Sequence, residues 1–272
     1  MNGTKEELKS RPAVVIGVGG TGQWVLAYLK KDLLESYNGK LPPNIRLLGL
    51  DTMPMSEGKV GAAGNAGQAD DGDDKKNLVK YAGAVHLNPG EEFVYLGGDA
   101  WDIANLVKEG GHRNVEHIAE WFDAATYIKT LRRSDFILDD GAGRIRQLGH
   151  LAVAKDLLPG KANSKLYRTL EGALTTVAGN VGEKHVDVIL VGSFAGGTGS
   201  GMFMDVALLA RKICETDNIS VSLRGYFVLP SAFAVHAPDM MARTFAAWRE
   251  LNRFMSQASE IGSPKMVLAP RQ

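Results

Sequence analysis

Two segments of this chain share one plan: an apolar run, a burst of glycine, then a helical pattern. They are VVIGVGGTGQ at residues 14–23 and LVGSFAGGTGSG at 190–201. Glycine in regular structure loses much backbone entropy, so this density needs an offsetting gain, such as a tight turn or the close approach of another group to the main chain. The apolar runs, AVVIGV at 13–18 and DVILVGS at 187–193, are short, continuous and rich in β-branched residues. That pattern fits strands covered on both faces. After the first glycines, Val25, Leu26, Leu29 and Leu33 recur at helical spacing in WVLAYLKKDLLE, and GMFMDVALLARKICE follows the second. RLLGLDT at 46–52 reads as a further strand ending in a carboxylate. A strand–loop–helix–strand opening implies a parallel sheet with a right-handed crossover. The expected fold class is therefore α/β: a doubly wound, mainly parallel sheet with helices on both faces.

Elsewhere the sequence predicts helices near 101–109, 113–133, 164–179 and 241–257, with Gly179 as a stop. The stretch 141–158 opens on glycines and becomes helical. Strands are expected at 221–230, closed by proline, and at 265–270. Residues 57–76 are small, glycine-rich and acidic, and read as a surface loop. The order of elements between 77 and 140 is not legible.

Composition narrows the function classes. Basic and acidic residues number 31 each, so there is no electrostatic case for nucleic acid or an anionic membrane. No apolar run approaches the roughly 20 residues of a membrane span, and the polar N-terminus lacks the build of a secretory signal. A cytoplasmic protein is the expectation. The single cysteine, Cys214, excludes an intrachain disulfide, and the six histidines show no metal-ligand spacing. No catalytic triad is defensible from spacing, and side chains alone indicate no metal site.

Each glycine segment sets backbone N–H groups at a helix start, where they lack intrahelical partners and face the positive end of the helix dipole. Phosphate is the natural ligand, and Thr198 and Ser200 can add hydroxyl donors. Tight turns and close packing explain one such loop equally well; two together favour a polyphosphate. The second loop has no lysine after its last glycine and so is not a Walker A loop. GVGGTG at 17–22 matches G-x-G-x-x-G, and Asp51 ends the next strand where a ribose-binding acid would stand. A nicotinamide-dependent oxidoreductase or an ATP-using Rossmann enzyme is therefore a rival reading, and a nucleotide-free scaffold a third.

AGGTGSG at 195–201 resembles the glycine-rich signature of the tubulin and FtsZ superfamily, G-G-G-T-G-[ST]-G, with Ala195 in place of its first glycine. IGVGGTGQ at 16–23, LLGLDT at 47–52, GAGRIRQLGHLA at 141–152 and YFVLPSAF at 226–233 are similar to further loops and strands of that superfamily in the same order. The likeness is nearest to the bacterial tubulin-like branch. The resemblance implies a GTP- or GDP-binding domain over residues 1–272, ending before the central helix and C-terminal domain of the superfamily. It implies that Ala195, Gly196, Gly197, Thr198, Gly199, Ser200 and Gly201 cradle phosphates, with Gly19, Gly20, Thr21, Gly22 and Gln23 on the phosphate and sugar side. Asp51 and Thr52 would lie near the γ-phosphate, through Mg²⁺ and water. Gly141, Ala142, Gly143 and Arg144 would approach the same end. It further implies self-assembly into filaments, with GTP hydrolysis completed by a neighbouring copy and weak in this chain alone. The superfamily's ribose-contacting Glu and Arg after the fifth strand are missing at matching offsets in PSAFAVHAPD; Asp239 and Arg243 are nearby substitutes. Asp139 and Asp140 read as capping or solvent-facing residues, and Arg132 and Arg133 as a solvated face. Met202, Phe203, Val206, Leu209, Phe245, Trp248 and Leu251 are expected to pack on the sheet.

Overall fold

A computed structural model describes residues 11–54, 85, 87–88, 90–142, 145–181, 184–233 and 238–261. The expected loop at 57–76 and strand at 265–270 lie outside the described residues. In chain order the strands are β1 (Ala13–Val18), β2 (Ile45–Asp51), β3 (Phe93–Tyr95), β4 (His185–Ser193) and β5 (Ser220–Val228). The helices are α1 (Gly19–Ser36), α2 (Trp101–Glu109), α3 (Glu116–Ala119), α4 (Ala124–Thr130), α5 (Arg146–Leu157), α6 (Lys165–Val181), α7 (Gly197–Thr216) and α8 (Pro238–Ile261).

The five strands form one sheet in the order β3-β2-β1-β4-β5. Every pairing is parallel. Alternation along β1 divides the core. Val14, Ile16 and Val18 join Leu148, Leu151, Leu170, Met202, Val206 and Ala247, contributed by α5 to α8. Val15 instead packs with Leu26 of α1, Leu47, Leu87 and Val191. Each fully buried aliphatic side chain contributes about 1.5–3 kcal/mol relative to exposure, so both faces of β1 hold it centrally. This is the doubly wound α/β arrangement that the runs at 13–18 and 187–193 predict.

Three local expectations change. The single helix at 113–133 is divided into α3 and α4, because Asp123 accepts hydrogen bonds from the Thr126 N–H and hydroxyl and starts a new helix. Gly179 does not stop α6, which runs to Val181. On α8, Ala247 is fully buried and Leu251 packs on the core, but Phe245 and Trp248 are 62% and 58% exposed. The helix buries the stripe of Ala247, Leu251 and Phe254, and Phe245 and Trp248 lie around the helix from it. Met202, Phe203, Val206 and Leu209 are buried as expected.

The strand order reverses at β1. The chain builds outward through β2 and β3 on one side, then returns to add β4 and β5 on the other. β1 and β4 run side by side, with Gly17 opposite Val191. Both glycine loops therefore leave the sheet at the same end and at adjacent strands. In open α/β sheets, that switch point is where a ligand crevice forms.

Candidate functional site

The two loops touch through their main chains. A Cβ placed on Gly19 would sit 3.0 Å from the Gly199 nitrogen, and one on Gly199 would sit 2.9 Å from the Val18 carbonyl oxygen. Gly19 also has φ +70°, which disfavours any side chain there. A third segment joins them: a Cβ on Gly149 of α5 would meet the Gly197 carbonyl oxygen at 2.7 Å.

Both helices that begin here start without side-chain caps. Val18 precedes α1 and Gly196 precedes α7; neither makes a side-chain capping bond, and neither helix has an acid in its first turn. The unpaired N–H groups at the two helix starts thus converge with no compensating acceptor from a capping side chain. Gly196 is exposed, and a Cβ added to it would meet nothing within 4 Å. This is the chemistry of an anion cradle.

Thr198 is the point where three segments meet. Its Oγ1 lies 3.1 Å from Thr52 Oγ1 at the end of β2 and accepts from the Ala142 N–H at 3.4 Å. Gly141, with φ +91°, turns the chain into that contact. Thr52, Ala142 and Thr198, drawn from three separate motifs, are thus brought together. Gly20, Thr21, Thr198 and Gly141 are half-buried at the cleft. Gly143 and Arg144 lie outside the described residues.

Other expected ligand-facing groups turn inward. Ser200 is fully buried and its hydroxyl donates to the Gly196 carbonyl within its own helix. Gln23 is buried and its Nε2 donates to Asp51 Oδ2 at 2.5 Å. Asp51 Oδ1 accepts from the N–H groups of Thr52 and Met53 at 2.7 and 3.3 Å. Burial of this carboxyl pushes its pKa up to about 6, against the opposing pull of those hydrogen bonds. A Mg²⁺ bound directly to Asp51 does not fit, since both oxygens already accept protein donors and the residue is 3% exposed. Among the described residues, no group of three or more His, Cys, Asp or Glu could hold a metal.

Asp139, read from the sequence as capping or solvent-facing, is instead half-buried and accepts from the Gly98 N–H at 2.5 Å and from the Tyr95 hydroxyl, tying its turn to the end of β3. Arg132 and Arg133 pair with Asp135 and Asp99 at exposed positions.

The sequence reading misses three supports of the second loop. Arg243 Nε on α8 donates to the Ala195 carbonyl at 2.9 Å. Arg146 Nε on α5 donates to the Ser200 carbonyl at 3.0 Å, and its Nη2 pairs with Glu250 on α8. One turn further on, His150 Nδ1 of α5 lies 2.9 Å from Asp205 Oδ2 of α7, with Trp121 edge-on to the imidazole. Burial raises the Asp205 pKa, and His150 opposes that rise. None of these partners lies near the other in sequence, so no local pattern could have announced them.

A separate cleft of 1420 Å³ opens beside β2 and β3, lined by Lys30, Arg46, Glu92, Lys165 and Arg168 among others. It includes no residue of either glycine loop.

The parallel sheet flanked by helices agrees with one family. The family model described as "Tubulin like" matches residues 14–266. The chain belongs to the tubulin-like family. No curated protein matches it. This tubulin-like chain carries a five-stranded parallel sheet flanked by helices, with the two glycine loops in contact at its switch point. No helix among the described residues is long and apolar enough to cross a membrane.

Proposed function

We propose that this tubulin-like chain binds a guanine nucleotide at the cleft between β1 and β4. Its phosphates would be held by the amides of Gly20, Thr21, Gly196, Gly197 and Thr198, with Thr52, Gly141 and Ala142 closing the γ-phosphate end. The observation that carries the reading is the convergence of two uncapped, glycine-bearing helix starts in main-chain contact. Gly143 and Arg144 extend the same reading by their place in the sequence. Guanine as the base follows from family membership.

Bound nucleotide would then gate head-to-tail association between copies of the chain. Such an interface is heterologous and open-ended. Hydrolysis of GTP to GDP would be completed by a group from the neighbouring copy, since no acid of this chain stands free at the cleft among the described residues. Phosphoryl transfer depends on positioning and charge neutralisation, and the cleft's contribution is the fixed set of amides.

The rival dinucleotide reading needs Asp51 to accept a ribose hydroxyl. Its engagement with Gln23, Thr52 and Met53 speaks against that role.

The deciding experiment is thermal unfolding with GTP, GDP, ATP and NAD, for the wild type and Gly196→Val. A ligand at 100 times its Kd stabilises by about 2.7 kcal/mol. GTP and GDP should raise the midpoint of the wild type and leave Gly196→Val unmoved. Gly196 has φ −86° and ψ 164°, which valine adopts readily, so the variant should fold normally. A shift with NAD alone would transfer the site to the rival reading. Light scattering with GTP, followed against protein concentration, tests assembly; turnover by dilute chain equal to that of concentrated chain would refute hydrolysis in trans.

A further inference from the structure

We infer that Arg243 and Arg146 are positioning residues that orient the amides of the second glycine loop. The inference rests on reading that loop as an anion cradle.

The Ser200 hydroxyl holds the Gly196 carbonyl from within the loop, but glycine and alanine bring no side chain that could set the Ala195–Gly196 peptide plane. Gly196 has no side chain, its neighbour Ala195 carries only a methyl group, and no side chain caps the helix that follows. Yet an anion cradle works only if its N–H groups are held in place before the ligand arrives, because ordering them on binding subtracts from affinity. Something outside the loop must therefore fix it.

The two arginines do so from the carbonyl side. Arg243 Nε holds the Ala195 oxygen at 2.9 Å. In a trans peptide the C=O and the following N–H point in opposite directions. Anchoring the Ala195 oxygen thus turns the Gly196 N–H away from Arg243. Arg146 Nε holds the Ser200 oxygen at 3.0 Å, at the other end of the loop. Its guanidinium is itself fixed by Glu250, with both side chains largely shielded from solvent. Arg243 and Glu250 are both on α8, so this helix braces the loop at its two ends. The backbone of α5 closes against the same turn: a Cβ on Gly201 would meet the Arg146 carbonyl oxygen at 2.2 Å. The offset of Arg243 after β5 made it a substitute for a nucleotide contact; its Nε instead serves the loop's carbonyl.

The test compares wild type, Arg243→Met, Arg243→Lys and Glu250→Gln by calorimetric titration with GTP, GDP and inorganic pyrophosphate. Ligand-free unfolding is measured alongside. Arg243→Met removes the donor and should weaken all three ligands by a common factor of about tenfold or more, since all three share the same amides. Arg243→Lys restores a donor and a charge and should recover most of that loss. Glu250→Gln should weaken binding by about two- to fivefold through Arg146. A defect confined to GTP and GDP, with pyrophosphate unchanged, would make Arg243 a nucleoside contact and overturn the inference. So would wild-type affinities in Arg243→Met. Should Arg243→Met fail to fold, wild-type affinity in Glu250→Gln together with tenfold weakening in Arg243→Lys overturns it, and the reverse pattern supports it. If the wild type binds none of the three, the anion-cradle reading itself falls and takes this inference with it.

Discussion

The two glycine loops look alike in sequence, but the protein backs them in opposite ways. Beneath the first lies a buried acid: Asp51, held by Gln23 and by the amides of Thr52 and Met53. Behind the second stand two arginines, each donating to a loop carbonyl. The glycines also divide into two kinds. A Cβ on Gly22 would lie 2.5 Å from the Gly17 carbonyl carbon, and one on Gly201 would lie 2.2 Å from the Arg146 oxygen, whereas Gly196 faces open space. Gly22 and Gly201 exist so that backbones can meet; Gly196 borders open space. Packing accounts for the first kind, and the proposed nucleotide site would account for the second.

The largest effect should come from the packing glycines. Gly201→Ala must push α5 from α7 at a backbone–backbone contact, and Gly22→Ala must lift α1 from β1. Each should lose about 3 kcal/mol of stability, roughly 6–12 °C in the unfolding midpoint of a domain this size. Gly196→Val should lose less than about 0.5 kcal/mol. Equal losses at Gly201 and Gly196 would erase the distinction between the two kinds.

Asp51, the buried acid behind the first loop, should leave a pH signature of its own. The Asp51 carboxyl sits at about 6 in the folded protein against 3.8 for the free group. Between those values the folded state holds a proton that the unfolded chain has released. The contribution of this group to stability is therefore fully present below about pH 3.8 and is lost as the pH rises through about 6, by at most about 3 kcal/mol. Asp51→Asn removes that dependence. Urea unfolding should show the variant gaining on the wild type as pH rises from about 4 to about 7. A constant difference across that range would mean that burial imposes no penalty on ionising Asp51.

Much of this contrast was hidden in the sequence, for physical reasons. β1, β2 and β4 were legible because buried strands need continuous apolar runs, and β5, which has no buried residue, was legible as a strand closed by proline. β3 was not, since Phe93–Tyr95 is three residues long and carries no period. The glycines at 17–22 and 196–201 were legible as loops between strand and helix, but their division into two kinds depends on which backbone lies opposite. The arginines were invisible as loop supports because a hydrogen bond from Arg243 to Ala195 leaves no periodic trace.

Thr198 joins the two differently backed loops to the end of β2, so it sharpens the comparison at lower amplitude. Thr198→Val removes the hydroxyl shared with Thr52 and Ala142, and leaves the fully buried Thr52 hydroxyl without that contact. A loss of about 1 kcal/mol is expected, recovered by Thr198→Ser. A double-mutant cycle with Thr52→Val should show coupling between the two positions; strict additivity would mean that the second loop and the end of β2 are held independently.

The smallest effect concerns the helix that braces the second loop. If α8 is held from its inner face, then Phe245→Ser with Trp248→Ser should change stability by no more than about 0.5 kcal/mol each, because both rings are already in solvent. Leu251→Ala, on the stripe that packs against the core, should cost about 2 kcal/mol and should also weaken phosphate binding, since α8 carries both Arg243 and Glu250. The informative quantity is the ratio of the two readouts in each variant. The outer-face pair should move neither, and the inner-face residue should move both. A loss of binding from the outer-face pair, with stability intact, would mean that the brace is tuned from the exposed side of the helix and that the second loop answers to whatever touches Trp248.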